Sequence, residues 1–224
     1  MKTCKIASFA LSAMFFTAVS TASTFDFNGY DLGDLDGQQG WAAPSNAQIV
    51  DDAPGFMIKA LELGPSGTWS ANSLPVGTSS FSFDFAIMSG ASAGNPDEFF
   101  FRYGADGWNS FIAFKPQAGI FEIRSNGEFY QPGGNNPAMP AGFQIGQVHN
   151  IAATFSGNTV ELEFDGSPYL TATFTNPVQL PEGNFDIRSA NVTTYVGNAI
   201  PEPGTALLLL VSGGLLLHLK RRRS

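Results

Sequence analysis

The sequence is poor in cysteine, in histidine and, over most of its length, in basic residues. Its single cysteine, Cys4, lies near the start of the 224 residues, so the remainder can form neither a disulfide nor a cysteine-based zinc site. Charged residues make up only 13% of the chain, whereas phenylalanine alone contributes 21 residues. This apolar content excludes a disordered acidic tail and indicates that stability comes from core packing.

The basic residues are distributed unevenly along the chain. Residues 1–23 carry a net charge of +2 and residues 201–224 a net charge of +3, whereas residues 24–199 hold five basic residues against 18 acidic ones, a net −13. This acidic balance argues against nucleic acid as a partner, because no basic patch could outweigh the acids. We interpret the three blocks as three segments with different roles.

The first block has the features of a secretory signal peptide. Lys2 and Lys5 form a short basic region, and an apolar stretch follows over residues 6–19. Small residues then lead to a cleavage point after Ala22, which predicts a signal peptide over residues 1–22 and places the secretion machinery among the partners. The alternative is a buried N-terminal helix.

The last block combines a short motif, an apolar run and a basic tail. The motif is Pro201, Glu202 and Pro203, and the tail is Lys220, Arg221, Arg222 and Arg223. An apolar helix is predicted between them, over residues 205–219, with a length of ~22 Å against the ~30 Å of a bilayer's hydrocarbon core. The flanking basic side chains extend this reach, and the positive-inside rule places the preceding chain outside, in agreement with the signal peptide.

This order of motif, helix and tail resembles the PEP-CTERM sorting signal, which also occurs at the end of some bacterial ice-binding proteins. The resemblance covers residues 200–224. It implies a Gram-negative bacterium in which an exosortase, a membrane-embedded protease, recognises the motif and removes the helix. The chain would be anchored in the inner membrane before processing and would then reach the cell surface or be secreted. Permanent anchoring by an uncleaved helix is the alternative.

The middle block, residues 23–199, is predicted to be one all-β domain. Apolar and polar residues alternate over residues 80–87, and shorter strand patterns cover 111–114 and 120–124. Clusters of Gly, Pro, Asn and Asp separate these runs, and no helical periodicity of useful length occurs between them. Short strands without intervening helices indicate an antiparallel sandwich or barrel.

Residues 148–174 are predicted to form consecutive hairpins. Alternating runs flank a Ser-Gly-Asn turn at 156–158 and an Asp165-Gly166 pair, which is typical of a type I′ turn. This pattern, together with the opening segment Gly33-Asp34-Leu35-Asp36-Gly37-Gln38-Gln39-Gly40-Trp41, resembles laminin-G and concanavalin A-like lectin and glucanase domains. The resemblance implies an antiparallel two-sheet jelly-roll sandwich with a concave face that holds glycans in many relatives.

No catalytic residue is predicted. Glu161, Glu163 and Asp165 share one strand face, as the catalytic carboxylates of some glucanases of this fold do, but their order departs from the Glu-Asp-Glu pattern of that family. We interpret them as a solvated outer face, with Asp165 required by the turn. His149 has no nucleophile motif beside it and is interpreted as structural.

Two candidate ligand sites follow from the pattern. Asp31, Asp34 and Asp36 lie in a glycine-rich segment and could hold a structural calcium ion, although each could equally form a turn beside a glycine. Loop aromatics with neighbouring amides are candidates for glycan binding. These candidates are Trp108, Asn109, Tyr130 and Gln131.

The predicted function is that of an exported surface or matrix protein whose noncatalytic, lectin-like domain contacts glycans, including the cell's own exopolysaccharide. A glycan-acting hydrolase of the concanavalin A-like fold and a ligand-free structural protein are the alternatives. From its net charge, we expect the domain to be weakly repelled by acidic polymers unless calcium bridges them.

Overall fold

Two antiparallel sheets account for the regular structure of the middle block. The computed structural model describes residues 26–43, 46–56, 59–65, 69–74, 78–88, 98–104, 107–181 and 183–197. The predicted signal peptide and sorting segment lie outside these residues. Within the described ranges there is no α-helix, and hence no helix that is long and apolar enough to cross a bilayer. The all-β prediction is confirmed.

The larger sheet has eight strands. In chain order they are β1 (Gly33–Asp34), β2 (Ala47–Val50), β3 (Ala60–Leu63), β5 (Ser80–Ile87), β10 (His149–Ser156), β11 (Thr159–Phe164), β12 (Ser167–Thr173) and β14 (Thr194–Gly197). Their spatial order is β1-β2-β3-β14-β5-β10-β11-β12. The last strand of the described chain therefore lies in the interior of the sheet, between β3 and β5.

The smaller sheet has six strands. They are β4 (Trp69–Leu74), β6 (Glu98–Tyr103), β7 (Phe111–Lys115), β8 (Ile120–Ser125), β9 (Glu128–Phe129) and β13 (Gly183–Ala190). Their spatial order is β4-β13-β6-β7-β8-β9, so β13, a late strand of the chain, pairs with both β4 and β6. The predicted strand patterns at 80–87, 111–114 and 120–124 correspond to β5, β7 and β8.

Phenylalanine rings fill the space between the sheets. Phe81 and Phe85 of β5 lie 4.2 Å from Phe101 and 5.3 Å from Phe99 of β6, measured between ring centroids. Each fully buried ring contributes roughly 1.5–3 kcal/mol through removal of apolar surface from water. The main core cluster extends from Phe27 to Val196, so the segment contains a complete hydrophobic core of its own.

The two predicted hairpins are confirmed. β10 pairs with β11, and β11 with β12, in antiparallel register. Asp165 and Gly166 both adopt positive φ, 49° and 70°, as the two central residues of a type I′ turn require. Glu161 and Glu163 are exposed, whereas the alternate residues Val160, Leu162 and Phe164 are buried.

Candidate functional site

One outer face of the sandwich carries most of the basic side chains of the middle block. Phe99, Phe101 and Tyr103 of β6 point into the core, so the residues between them point outward. In the outward rows, Arg102 pairs with Asp186 of β13 and with Phe111 of β7, and Arg124 of β8 also pairs with Phe111. We call the outer surface of the smaller sheet the arginine face, because it carries four of the five basic residues of the middle block. These are Arg102, Lys115, Arg124 and Arg188.

Trp108 lies over this face, in the short 3₁₀ turn Gly107–Asn109 that connects β6 to β7. Its side chain is 42% exposed. The guanidinium carbons of Arg102 and Arg188 lie 4.1 Å and 5.1 Å from the centroid of its ring. Trp108 is therefore a partly exposed aromatic ring with two cations close to it, and cation–π attraction stabilises the arrangement.

A second exposed ring lies on the same face. Phe129 of β9 is 41% exposed, and the guanidinium carbon of Arg124 lies 4.6 Å from its centroid. Beneath the exposed rings, Phe100 and Phe111 are buried and make edge contacts at 5.3 Å with Trp108 and 6.0 Å with Phe129. The two exposed rings are thus supported by a small aromatic layer on the outside of the sheet.

The loop that carries Trp108 is tied to the neighbouring hairpin. The Trp108 carbonyl accepts a hydrogen bond from Arg124 Nη1 at 3.0 Å, and the Asn109 carbonyl accepts one from the Gly127 N–H at 2.8 Å. The Asn126 N–H also donates to Ser110 Oγ at 3.0 Å. These bonds join the β6–β7 connection to the β8–β9 turn, so the position of Trp108 is set by a rigid scaffold.

A bidentate ion pair lies beside Trp108. Arg102 Nε donates to Asp186 Oδ1 at 2.6 Å, and Arg102 Nη2 donates to Asp186 Oδ2. Both side chains are largely buried. Burial raises the pKa of Asp186 above its usual value, and the hydrogen bonds and charge of Arg102 offset this only in part. The pair therefore has a substantial desolvation cost, which only its good geometry makes tolerable.

A second charged group occupies the other end of the face. Lys115 Nζ lies 3.2 Å from Glu98 Oε1 and 2.9 Å from Glu122 Oε2, so one ammonium is shared by two carboxylates. Burial acts to lower the pKa of Lys115, but the hydrogen bonds to Glu122 and Glu98 outweigh it and leave the pKa raised. Asn136 Nδ2 completes the arrangement with a bond to Glu122 Oε1 at 3.0 Å.

The remaining two cations are less closely paired: the charge of Arg188 acts on the Asp186 carboxylate, but without forming a salt bridge. Among the described residues, neither Arg124 nor Arg188 forms a salt bridge. Arg124 Nε is buried without a hydrogen-bond partner. In the part of the chain that the structure describes, the arginine face therefore carries more positive than negative charge.

The predicted glycan-binding residues divide between two environments. Trp108 and Asn109 are exposed at the arginine face, but Tyr130 packs against the core, with its ring centroid 6.2 Å from that of Phe174. Gln131 is exposed and donates to Asn136 Oδ1 at 3.0 Å within its own loop. Tyr130 follows Phe129 in the chain, and consecutive strand residues point to opposite sides, so Phe129 points outward where Tyr130 points toward the core.

The structure does not bring the predicted calcium ligands together. The described residues contain no group of three or more acidic, His or Cys side chains arranged to hold a metal ion. Instead the Gln38 amide organises the loop: its Oε1 accepts from the Asp31 N–H at 2.8 Å, and its Nε2 donates to the carbonyls of Asp31 at 3.1 Å and Asp34 at 2.7 Å. The Asp36 carboxylate accepts the Ala43 N–H at 3.0 Å, as a turn-forming aspartate does.

Asp165 and His149 form a structural contact at the end of β10. Asp165 accepts the Asn150 N–H at 2.8 Å through Oδ1 and lies 2.9 Å from His149 Nδ1 through Oδ2. The other ring nitrogen, His149 Nε2, accepts the Gln144 N–H at 3.0 Å. The imidazole is buried and has both nitrogens engaged, which supports the structural interpretation of His149 and leaves neither nitrogen free to activate a nucleophile.

Glu161 and Glu163 border a shallow depression of about 280 Å³ at the edge of the larger sheet. It lies between β11 and β12, and Pro168, Tyr169 and Thr171 complete its lining. Both carboxylates are exposed to solvent. The geometry supports the interpretation of these residues as a solvated face.

Comparisons with known proteins identify the fold. No protein family matches the sequence, and no curated protein matches it either. Among solved structures, the β-glucanase of Bacillus licheniformis superposes with a TM-score of 0.53 at 15% identity, over 77% of this chain and 92% of that one. The alginate lyase Aly36B superposes with a TM-score of 0.50 at 13% identity, over 77% and 91%.

A sialidase gives a TM-score of 0.52 at 13% identity over 77% of this chain. The matched region is only 18% of the sialidase chain. At these identities the similarity concerns the fold alone. It confirms the jelly-roll, concanavalin A-like sandwich that the sequence predicts for the middle block.

Proposed function

We propose that this chain is an exported, noncatalytic glycan-binding protein whose ligand contacts the arginine face. The observation that carries the proposal is the pair of exposed rings, Trp108 and Phe129, held on a rigid sheet and bordered by guanidinium groups. Sugar rings stack their apolar faces on aromatic side chains, while nearby polar groups set their orientation. The fold is shared with a β-glucanase and an alginate lyase, whose names indicate polysaccharide substrates, and this supports a glycan as the ligand.

The charges on the arginine face favour binding over hydrolysis. Hydrolysis by two carboxylates requires an acid and a base or nucleophile on either side of the glycosidic bond. On this face Glu98 and Glu122 are both bound to Lys115, and Asp186 is bound to Arg102. Each carboxylate is thus held by a cation of the protein, and no pair of them is left to flank a substrate.

Export and C-terminal sorting form the second part of the proposal, and the sequence of the two ends supports them. The fold is compatible with removal of both ends. Phe27 is fully buried, so cleavage after Ala22 leaves the first core residue in place. At the other end β14 is an interior strand that pairs with β3 and β5, so processing by an exosortase must leave Gly197 attached.

The ends can be tested in an exosortase-containing Gram-negative host. Mass spectrometry of the protein released from the cell surface should find an N-terminus near Ser23 and a C-terminus after Gly197. Replacing Pro201, Glu202 and Pro203 together by alanine should keep the C-terminal segment and hold the chain in the membrane fraction. Unchanged processing of this variant would contradict sorting through the motif.

Glycan binding can be tested on residues 23–199, which contain the complete core. Affinity electrophoresis in gels that contain neutral or acidic polysaccharides should show retardation of the parent protein. Trp108→Ala should weaken retardation about tenfold or more, as expected for a central aromatic contact. The matched control is Ile145→Ala, which removes an apolar side chain that is 47% exposed outside the arginine face.

The outcomes separate the three functional classes. Retardation that depends on Trp108 without release of reducing sugar supports a binding protein. Release of reducing sugar would favour the hydrolase. No retardation by any polymer would favour a ligand-free structural protein.

A further inference from the structure

We infer that the glycan bound at the arginine face is anionic, and that its carboxylate or sulfate group is held by Arg188 beside Trp108. This inference rests on the proposed function, because it names the class of ligand for that same face. It differs from the expectation of repulsion drawn from the net charge of the middle block. Its basis is the position of each charge in the sandwich.

The first observation is the separation of charge between the two sheets. The eight strands of the larger sheet, within the bounds given above, contain no lysine or arginine, whereas those of the smaller sheet contain four. Within the strands that the structure describes, all four cations lie on the arginine face, against three outward carboxylates, those of Glu98, Glu122 and Asp186. In a block with a net charge of −13, this face is therefore locally positive.

The second observation is that the two arginines beside Trp108 differ in their bonding partners. Arg102 is occupied by its bidentate bond to Asp186. Arg188 lies on the adjacent strand, 5.1 Å from the Trp108 ring centroid, and makes no salt bridge among the described residues. A guanidinium has five N–H donors in a planar fork that matches a carboxylate or a sulfate, so Arg188 has donors available for an anion.

The geometry joins this anion site to the stacking site. A pyranose ring stacked on the exposed part of Trp108 would have its exocyclic groups at the ring edge, next to the guanidinium groups of Arg188 and Arg102. A charged group at that position would form charge-assisted hydrogen bonds, which are roughly twice as strong as those to a neutral hydroxyl. A neutral sugar would make the stacking contact but would offer Arg188 no charged acceptor.

The acids elsewhere on the domain do not prevent this interaction. Glu161 and Glu163 lie on the outside of the other sheet, and packed sheets are separated by ~10 Å. The Debye length at physiological ionic strength is ~8 Å, so these charges are largely screened at the arginine face. The local charges there, rather than the total charge, determine which polymers bind.

The test compares polymers that differ only in charge, with residues 23–199 as the protein. Polygalacturonate is compared with its methyl ester, and dextran sulfate with dextran, which distinguishes a carboxylate ligand from a sulfate ligand. At least one anionic polymer should bind about tenfold or more tightly than its neutral counterpart. That binding should weaken several-fold between 50 and 300 mM NaCl, values chosen because the Debye length shortens over this range.

Arg188→Gln should lower affinity for the anionic polymer about tenfold and leave any binding of the neutral polymer unchanged. Arg188→Lys, which keeps the positive charge but not the planar guanidinium, should lower this affinity by less. The matched control is the double variant Glu161→Gln with Glu163→Gln, which changes the net charge by two units on the other sheet, against one unit of opposite sign for Arg188→Gln, and should leave affinity unchanged. Melting temperatures of all variants show whether each is folded.

The outcomes distinguish failure of the anionic-ligand inference from failure of glycan binding itself. Equal binding of charged and neutral polymers that depends on Trp108 would overturn the anionic ligand and leave the proposed function standing. No binding of any polymer by the parent protein would overturn both. A change in affinity in the Glu161 and Glu163 double variant as large as that in Arg188→Gln would indicate net charge rather than a site, and would also overturn the inference.

Discussion

The two outer faces of the sandwich follow the same alternation of residues but differ in how their polar groups are held. Near the edge of the larger sheet, Glu161 and Glu163 are exposed, although in the interior of that sheet Asn150 donates hydrogen bonds to Asp84 and Ser82. On the smaller sheet, the charged groups are partly buried and in contact, as Arg102 is with Asp186 and with Trp108. A solvated face tolerates substitution, whereas a face of mutually dependent groups offers a ligand a preorganised surface.

The largest effect is expected from Asp186→Ala. It would leave the partly buried guanidinium of Arg102 without its bidentate partner, at a cost of about 2–4 kcal/mol in the free energy of unfolding. On the other face, Glu163→Ala should change it by less than about 0.5 kcal/mol, because the carboxylate is exposed. Urea unfolding of both variants measures the difference.

A double variant sharpens this comparison. Burial raises the pKa of Asp186 despite its partner, so desolvation opposes the charged form of this pair. Replacing both Arg102 and Asp186 by leucine should therefore restore most of the stability that Asp186→Ala loses. If Asp186→Ala and Glu163→Ala lower the free energy of unfolding equally, the charged groups of the arginine face are no more interdependent than those of the larger sheet.

A smaller effect, dependent on pH, is expected at Lys115. Its pKa in the folded state is raised above 10.5, so Lys115 adds stability that is fully present below pH 10.5 and is lost as the pH rises through the folded value. Lys115→Met should destabilise the protein by about 1–2 kcal/mol at pH 8, and this difference should shrink above pH 10.5.

Urea unfolding of the parent protein and of Lys115→Met, at pH 8 and above pH 10.5, measures how the stability difference changes with pH. Tyr169 and Tyr195 also have raised pKa values because of burial, and they too lower stability at high pH. Both tyrosines are present in both proteins, so their effect cancels in the comparison. A difference that stays constant with pH would contradict the role given to Lys115.

The smallest effect is expected from a metal chelator. The carbonyls of Asp31 and Asp34 already accept hydrogen bonds from the Gln38 amide, and Asp36 is engaged with Ala43. Addition of EDTA should therefore leave the melting temperature unchanged. A decrease in melting temperature would indicate that calcium stabilises this acidic segment. It would contradict the interpretation that the Gln38 hydrogen bonds hold the loop without a metal ion.

Local patterns predicted part of the site and could not predict the rest. Trp108 was found because it borders a glycine-containing loop, and the outward direction of Glu161 and Glu163 follows from strand alternation. The outward direction of Phe129 could not be predicted, because it is adjacent to Tyr130 in the chain and only the register of β9 with β8 decides which of the two points outward. A one-residue shift in register exchanges the two faces.

The sequence by itself determined the strand class, the hairpin turns and the buried sides of β5 and β11, because alternation and turn chemistry act between residues close in the chain. Only the tertiary structure decided that Arg102, Arg124 and Arg188 share a face around Trp108. These residues lie on β6, β8 and β13, and the order β13-β6-β7-β8 brings them together. Strand order depends on pairing between distant segments, which no local pattern encodes.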